Sequence, residues 1–220
     1  MKRRILKFIQ PLYAKYHFWY HRKPRKYVYK DVYTIVQPGV FSPKNTMSTK
    51  VFLDYISNLN LRGKKVLELG CGSGIISVLS ASKGAKVWAS DIHQVAVDSL
   101  QDLSQYLGLN MNVLYSDLLD QIPKEDFDYV FINPPYYPKD PGNVEEKAWF
   151  CGSEYEYFEK LFQQLHKVEN SEVLMIFSDA CDLEIISDIA QKYTWKFQEV
   201  HQVQLASEVN YIFKVVKYSL

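Results

Sequence analysis

Two patterns of hydrophobic and polar residues alternate along this chain, and together they predict a series of strands and helices. Short apolar runs are typical of strands buried on both faces, whereas apolar residues at i, i+3 and i+4 are typical of helices. One strand begins at Lys65, and further strands are predicted over 86–92, 111–117, 127–134, 172–179, 195–206 and 210–219. Helices are predicted over 46–60, 75–83, 94–107, 153–168 and 182–192.

This order of elements predicts an α/β fold with a doubly wound, mostly parallel seven-stranded sheet. Only a few residues separate the last two strands, so they predict an antiparallel hairpin at the C-terminal end of the sheet. Ahead of the sheet, residues 32–43 are strand-like with a turn at Pro38-Gly39. The helix over 46–60 is amphipathic, and its inward residues would be Val51, Phe52, Tyr55, Ile56 and Leu59.

Charge divides the chain into two unequal parts. The 220 residues suit one domain, and a hydrophobic fraction of 47% argues against disorder. Residues 1–30 contain ten Lys or Arg and no acid, whereas the other 190 residues hold 16 basic and 25 acidic side chains. We therefore predict a basic, aromatic N-terminal arm over 1–30 and a catalytic or binding domain over 31–220.

Three interpretations of the predicted arm remain open. Apolar residues recur at helical spacing at Ile5, Phe8, Ile9, Leu12, Tyr16 and Trp19. A helix that packs this stripe on the domain is one interpretation. Contact with nucleic acid is another, because basic side chains bind phosphates and aromatic side chains stack on bases. Adsorption to an anionic membrane surface is the third.

The remaining composition points to a reducing compartment without a metal site. Cys71, Cys151 and Cys181 are far apart and form no CxxC pair, which is typical of neither a disulfide framework nor a zinc site. The five histidines show no metal-ligand spacing, so no metal is expected. No apolar run approaches the roughly 18 residues of a membrane span. A cytoplasmic location is therefore predicted, and a membrane partner is not expected.

A glycine turn follows the first strand of the predicted sheet. KVLELGCGSG places glycines at Gly70, Gly72 and Gly74 between the strand and the following helix. Glycine permits unusual backbone angles there and lets a ligand approach the backbone closely. This arrangement predicts a loop for a nucleotide-like ligand, with a tight structural turn as the alternative. A nicotinamide dehydrogenase would instead show GxGxxG spacing.

Polar residues end four successive strands of the predicted sheet. They are Glu68, Asp91, Asp117 and Asn133, and ligands of doubly wound sheets bind at the carboxyl ends of the strands. Asp91 is placed where a carboxylate accepts hydrogen bonds from both hydroxyls of a ribose. Each acid alone could instead cap a helix.

The most specific motif is Asn133-Pro134-Pro135-Tyr136. Both prolines fix φ and donate no hydrogen bond, so their carbonyls can face a ligand. The Asn133 amide oxygen and the Pro134 carbonyl can then accept both hydrogens of a planar NH2 group. Tyr136 offers a ring on which that group can stack. The alternative is a proline-rich loop without function.

Together these motifs resemble those of the class I S-adenosylmethionine-dependent methyltransferases, most closely the branch that methylates planar NH2 groups. The resemblance covers residues 32–220 and implies a Rossmann-like methyltransferase fold with S-adenosylmethionine as the cofactor. By position, it implies cofactor contacts from Glu68, Gly70, Gly72, Gly74, Asp91, Ile92, Asp117, Leu118 and Asn133. It also implies that Asn133, Pro134, Pro135 and Tyr136 hold the acceptor and form the catalytic segment.

The acceptor stays open between RNA and protein. PGVFSP and WFCGSEYEYFEKLFQQL look like the release-factor glutamine methyltransferases, and the resemblance extends to small RNA methyltransferases that act on adenine or guanine amines. The glutamine enzymes usually carry a helical N-terminal domain, which the basic arm does not resemble. The family's GG-x-(D/N)-G is replaced here by residues 151–155, CGSEY. RNA is the favoured acceptor; a protein glutamine, or cofactor binding without turnover, is the alternative.

Overall fold

The computed structural model describes residues 22–205 and 208–218 of the chain. Seven strands form one sheet in the order β5-β4-β3-β6-β7-β9-β8. Their bounds are β3 Lys65–Leu69, β4 Lys86–Asp91, β5 Met111–Tyr115, β6 Tyr129–Ile132, β7 Glu172–Ser178, β8 Trp195–Gln204 and β9 Val209–Lys217. β3 to β7 are parallel, and β9 joins both β7 and β8 in antiparallel pairing. The predicted sheet and its closing hairpin are confirmed.

Five α-helices cover the two faces of this sheet. They are α1 Met47–Ser57, α2 Ile75–Ser82, α3 Gln94–Leu107, α4 Glu156–Gln164 and α5 Leu183–Lys192. On one face α1 and α2 pack against the sheet through a cluster that includes Phe52 and Phe131. On the other face α4 and α5 pack through a cluster that includes Phe158 and Phe177. The central strands β3, β6 and β7 are therefore buried on both faces, as their apolar runs predicted, whereas most of the edge strand β8 is exposed.

The order of the strands reverses between β3 and β6. From β3 the chain runs outward through β4 to β5, and it then returns to β6 on the other side of β3. Carboxyl ends of neighbouring parallel strands lie along one edge, and such a reversal opens a crevice at that edge. The segment after β3, with its glycines, and the segment after β6, with Asn133, therefore border the same crevice.

A two-stranded hairpin precedes the sheet. β1 Arg25–Tyr29 pairs antiparallel with β2 Val32–Val36, and the Tyr29 hydroxyl donates to Asp54 of α1 at 2.7 Å. The sequence prediction assigned 25–29 to the arm and contained no strand there. The proposed boundary at residue 30 falls in the hairpin turn, and the division of the chain remains a prediction. The helical pattern from Ile5 to Trp19 lies outside the described residues.

Two predicted elements are shorter in the structure for physical reasons. β6 ends at Ile132 rather than at residue 134, because Pro134 and Pro135 cannot donate to a strand ladder. The helix predicted from residue 153 begins at Glu156, after Tyr155 adopts a left-handed conformation with φ of 60°. The predicted turn at Pro38-Gly39 is confirmed, and Gly39 has a φ of 80°.

Candidate active site

A cavity of about 470 Å³ lies at the carboxyl ends of β3, β4, β5 and β6. All but one of the predicted site residues line it. They are Glu68, Gly70, Gly72, Asp91, Ile92, Asp117, Leu118, Asn133, Pro134, Pro135 and Tyr136. Gly74 is the predicted residue that does not belong to the lining. The sequence motifs thus identify one continuous site.

The glycines of the turn have different roles. Gly70, Gly72 and Gly74 all have positive φ, between 51° and 76°. A Cβ on Gly70 would meet nothing within 4 Å, so its backbone faces open space where a cofactor can approach. A Cβ on Gly74 would lie 2.4 Å from Leu100 of α3. Gly74 therefore permits α2 and α3 to pack closely, and its predicted contact with a cofactor stays a prediction.

Asp91 fixes the shape of the glycine turn. One carboxylate oxygen accepts the Gly72 N–H at 2.7 Å and the other accepts the His93 N–H at 2.8 Å. Burial raises the pKa of Asp91, and these two N–H groups oppose that shift. Each oxygen keeps a free lone pair, so the carboxylate can also accept two hydroxyls of a ribose.

Glu68 is a nearly buried carboxyl group at the base of the cavity, 4% exposed. It accepts a hydrogen bond from the Ser77 hydroxyl of α2. Burial raises the pKa of Glu68 to about 8, because the surroundings disfavour the charged form. The group is therefore mainly protonated at neutral pH when no cation is nearby.

Asp117 is held by a residue that the sequence analysis did not identify. Lys160 of α4 lies 2.7 Å from Asp117 and 2.8 Å from Asp120. Tyr157, one helical turn earlier, lines the cavity, and its pKa is raised by burial and then by Asp91 and Asp117. Both residues lie in the segment YEYFEK, where helical spacing places them on the same side of α4.

Asn133 and Pro134 present hydrogen-bond acceptors to the cavity. The Asn133 Nδ2 group donates to Thr49 Oγ1 of α1 at 3.1 Å, which leaves Oδ1 for a ligand. Within the described residues, the Pro134 carbonyl accepts no backbone hydrogen bond. Tyr136 beside them is only partly exposed, and burial raises its pKa well above the usual value. Its phenol is therefore neutral and suited to stacking.

Aromatic side chains form part of the cavity wall. Phe41 and Trp149 meet edge to face with ring centroids 4.9 Å apart, and the rings of Tyr136 and Tyr137 are also 4.9 Å apart. Both pairs line the cavity. Phe41 and Trp149 are distant in sequence, and no motif in the chain could have joined them.

The loop after Tyr136 is closed by its own hydrogen bonds. Tyr137 N–H donates to the Trp149 carbonyl at 3.2 Å, and Cys151 N–H donates to the Tyr137 carbonyl at 3.0 Å. At Gly152, with φ of 92°, a Cβ would overlap the Glu156 carboxylate. Glycine is therefore required there, whereas the buried Cys151 directs its thiol to the Tyr137 carbonyl at 3.4 Å. The altered motif therefore keeps a glycine at the position where φ is 92°.

The described chain offers neither a metal cluster nor a membrane span. Residues 22–205 and 208–218 contain no group of three or more His, Cys, Asp or Glu side chains that could hold a metal ion. None of the helices in that part of the chain is long and apolar enough to cross a membrane.

Known proteins share this fold and parts of this sequence. Ribosomal protein L11 methyltransferase of Helicobacter hepaticus is 32% identical over 90 residues, which are 40% of this chain and 28% of that protein. Ribosomal RNA small subunit methyltransferase C of Mannheimia succiniciproducens is 33% identical over 131 residues, 58% of this chain and 38% of that protein. The structure of the T. thermophilus 16S rRNA N2 G1207 methyltransferase with AdoMet and guanosine matches with a TM-score of 0.61 at 17% identity. That match covers 90% of this chain and 50% of that one.

The fold and the cavity match those of the class I S-adenosylmethionine-dependent methyltransferases. The family model for the methyltransferase small domain matches residues 31–148, and the chain belongs to that family. It spans 28% and 38% of the lengths of the two curated relatives named above.

Proposed function

We propose that this protein methylates a planar amino group, and that the amine belongs to an adenine or guanine base of RNA. The observation that carries the proposal is the orientation of Asn133. Its Nδ2 group is bound to Thr49, so Oδ1 remains to accept a hydrogen bond from an incoming NH2 group. An acceptor pair of Asn133 Oδ1 and the Pro134 carbonyl matches the two N–H bonds of such a group.

The donor half of the cavity fits S-adenosylmethionine. The bare backbone at Gly70 and Gly72, together with Glu68, would border the methionine part, and Asp91 would accept the ribose hydroxyls. Asp117 would accept the adenine amine, between Ile92 and Leu118, which also line the cavity. When bound, the cofactor supplies a methyl group activated by the positive charge of its sulfur.

The acceptor half of the cavity, which contains Asn133, Pro134 and Tyr136, would activate the amine mainly by aligning it. The lone pair of a base amine or an amide nitrogen is delocalised, and hydrogen bonds from its N–H groups to Asn133 and Pro134 strengthen as that nitrogen gains positive charge. The phenol of Tyr136 is neutral, and burial raises its pKa further above the ordinary value, so it supplies a stacking face rather than a base. No general base is required.

RNA is favoured by the aromatic walls and by the basic N-terminal region. Phe41, Trp149 and Tyr136 offer flat faces of the kind on which bases stack. Lys26 of β1 and Lys23, just before the hairpin, are exposed and can contact phosphates. A base stacked in a duplex would have to turn out into the cavity, at roughly a few kcal/mol. Relatives named for ribosomal RNA methylation point to the same acceptor class.

A protein glutamine is the second candidate, and one observation favours it. The acceptor loop over 137–156 contains five acidic and two basic residues, and this charge repels a phosphate backbone. A relative named for methylation of a ribosomal protein shows that the acceptor class varies among similar chains.

Transfer of radiolabelled methyl from S-adenosylmethionine into total RNA and total protein tests both candidates. Label that ribonuclease removes and protease does not would support the RNA acceptor. Label with the opposite sensitivity would replace it with a protein acceptor. Cofactor binding by calorimetry without label in either fraction would favour a binding protein without turnover. A cytoplasmic location belongs to the same proposal, and the three free cysteines are consistent with it.

A further inference from the structure

The orientation of the Asn133 amide decides what the acceptor half of the cavity can bind. The two ends of an amide group are nearly equal in size, but one accepts hydrogen bonds and the other donates them. With Oδ1 toward the cavity, the site matches an NH2 group. With the amide rotated by half a turn, Nδ2 would face that NH2 group and no hydrogen bond could form. Some other part of the protein must therefore fix the amide.

Thr49 makes the contact that distinguishes the two ends. It lies in the first turn of α1 and is only 3% exposed. Its Oγ1 is 3.1 Å from Asn133 Nδ2, although the two residues are 84 positions apart. Both side chains also line the cavity.

A threonine hydroxyl can donate as well as accept, so the contact alone does not fix the amide. The neighbouring Thr46 offers an acceptor for the Thr49 proton. Its Oγ1 lies 3.3 Å from Thr49 Oγ1. If Thr49 donates its single proton to Thr46, only its lone pairs remain for Asn133, and these can bind Nδ2 but not Oδ1.

Thr46 also departs from its usual role, which leaves its lone pairs available to the Thr49 hydroxyl. It occupies the N-cap position of α1 with extended φ and ψ, yet its side chain makes no capping hydrogen bond. An N-cap threonine ordinarily accepts a backbone N–H at this position. Here its hydroxyl is instead directed to the side chain of Thr49, three residues on.

We propose that Thr49, supported by Thr46, is a positioning residue that sets the direction of the Asn133 amide and so makes the site selective for NH2 groups. The hydroxyl chain runs from Asn133 to Thr49 to Thr46. The inference that the amide faces an NH2 group during the reaction rests on the proposed function. The direction of the amide itself does not depend on the identity of the acceptor.

Two variants of Thr49 separate positioning from packing. Thr49→Val keeps the shape of the side chain but loses the hydroxyl, whereas Thr49→Ser keeps the hydroxyl and loses a methyl group. The side-chain NH2 signals of Asn133 are assigned by comparing 1H–15N spectra of the free wild-type protein and of Asn133→Ala, in which these signals are missing. We expect hydrogen exchange of its NH2 group to be about tenfold faster in Thr49→Val and unchanged in Thr49→Ser. Equal exchange in wild type and Thr49→Val would overturn the proposal, whatever the acceptor is.

The rate of methyl transfer then measures how the direction of the Asn133 amide affects catalysis. Thr49→Val should lower kcat about tenfold with an unchanged Kd for S-adenosylmethionine, and Thr49→Ser should restore kcat. In the Asn133→Ala background, Thr49→Val should change nothing further. An equal loss in Thr49→Val and Thr49→Ser would show a packing role instead. Absence of transfer by the wild-type protein would refute the proposed function but leave the exchange result valid.

Discussion

The donor half and the acceptor half of the cavity are assembled by different means. In the donor half each functional group follows the end of its own strand, and the contact from Gly72 to Asp91 spans 19 residues. In the acceptor half the decisive contacts join distant segments, such as Asn133 with Thr49 and Phe41 with Trp149. The proposed donor site therefore follows mainly from the sheet topology, although Lys160 of α4 also holds Asp117. The proposed acceptor site depends on loops and α1, so we expect substitutions there to leave cofactor binding unchanged.

The largest expected effect comes from Asn133→Ala, which tests whether the two halves act separately. We expect kcat to fall by roughly 10²–10³-fold, because an acceptor aligned with the developing charge is lost. The Kd for S-adenosylmethionine should change by less than about threefold, since the donor half keeps its contacts. Single-turnover transfer and calorimetry measure the two quantities.

Asp91→Ala is the matched variant in the donor half. It should weaken cofactor binding, because both the hydroxyl acceptors and the hydrogen bonds to Gly72 and His93 are lost. Unchanged transfer by Asn133→Ala, or an equal loss of cofactor binding in both variants, would contradict the division into two halves.

The same division explains how much the sequence could predict. Strand periodicity located β3 to β9 and the polar strand ends, and Glu68, Asp91, Asp117 and Asn133 all reached the cavity. Such groups are predictable because each lies beside its own strand and the strands share one edge.

Features that arise from packing between distant segments were not predictable. Thr49 had been placed only in an amphipathic helix, and nothing in its neighbourhood pointed to Asn133. Gly74 was grouped with the cofactor residues because it shares their spacing, yet its hydrogen faces Leu100. β1 was hidden in a basic segment, because its Lys30-Asp31 turn lacks the glycine or asparagine typical of a two-residue hairpin turn and places Lys30 at a φ of 48°.

A second prediction concerns Glu68 of the donor half and the effect of its buried carboxyl group on the free energy of unfolding. Its pKa is about 8 in the folded protein, against an ordinary value of 4.5. Between these values the folded protein holds a proton that the unfolded chain has released, so the free energy of unfolding falls as pH rises from about 4.5 to 8. Glu68→Gln lacks this titration. From pH 5 to pH 9, the free energy of unfolding of Glu68→Gln should therefore rise by roughly 2–4 kcal/mol relative to that of the wild type.

Urea unfolding of the cofactor-free protein at the two pH values measures this difference. Glu125→Gln is a suitable control, because Glu125 pairs with Lys65 at the surface, where both side chains are more than one-third exposed. The control should show a much smaller dependence on pH. An equal stability difference between wild type and Glu68→Gln at pH 5 and pH 9 would mean that Glu68 is not protonated in the folded protein.

The smallest expected effect concerns RNA binding outside the cavity. If RNA is the acceptor, its phosphates should avoid the acidic loop over 137–156 and contact the hairpin instead. Lys23→Gln with Lys26→Gln should then weaken RNA binding several-fold and reduce the dependence of log K on log salt by about 1.4. Neutralising Glu145 and Glu154 should strengthen RNA binding by removing repulsion.

A matched pair of exposed lysines lies at the opposite edge of the sheet. Lys86 is the first residue of β4, and Lys124 precedes Glu125, which pairs with Lys65 at the start of β3. Replacing both with glutamine changes the net charge equally but should leave the salt dependence unaltered. If the two double variants bind RNA alike, the hairpin makes no specific phosphate contact. The acidic loop over 137–156 would then favour a protein acceptor, because its charge fits an acceptor with basic side chains.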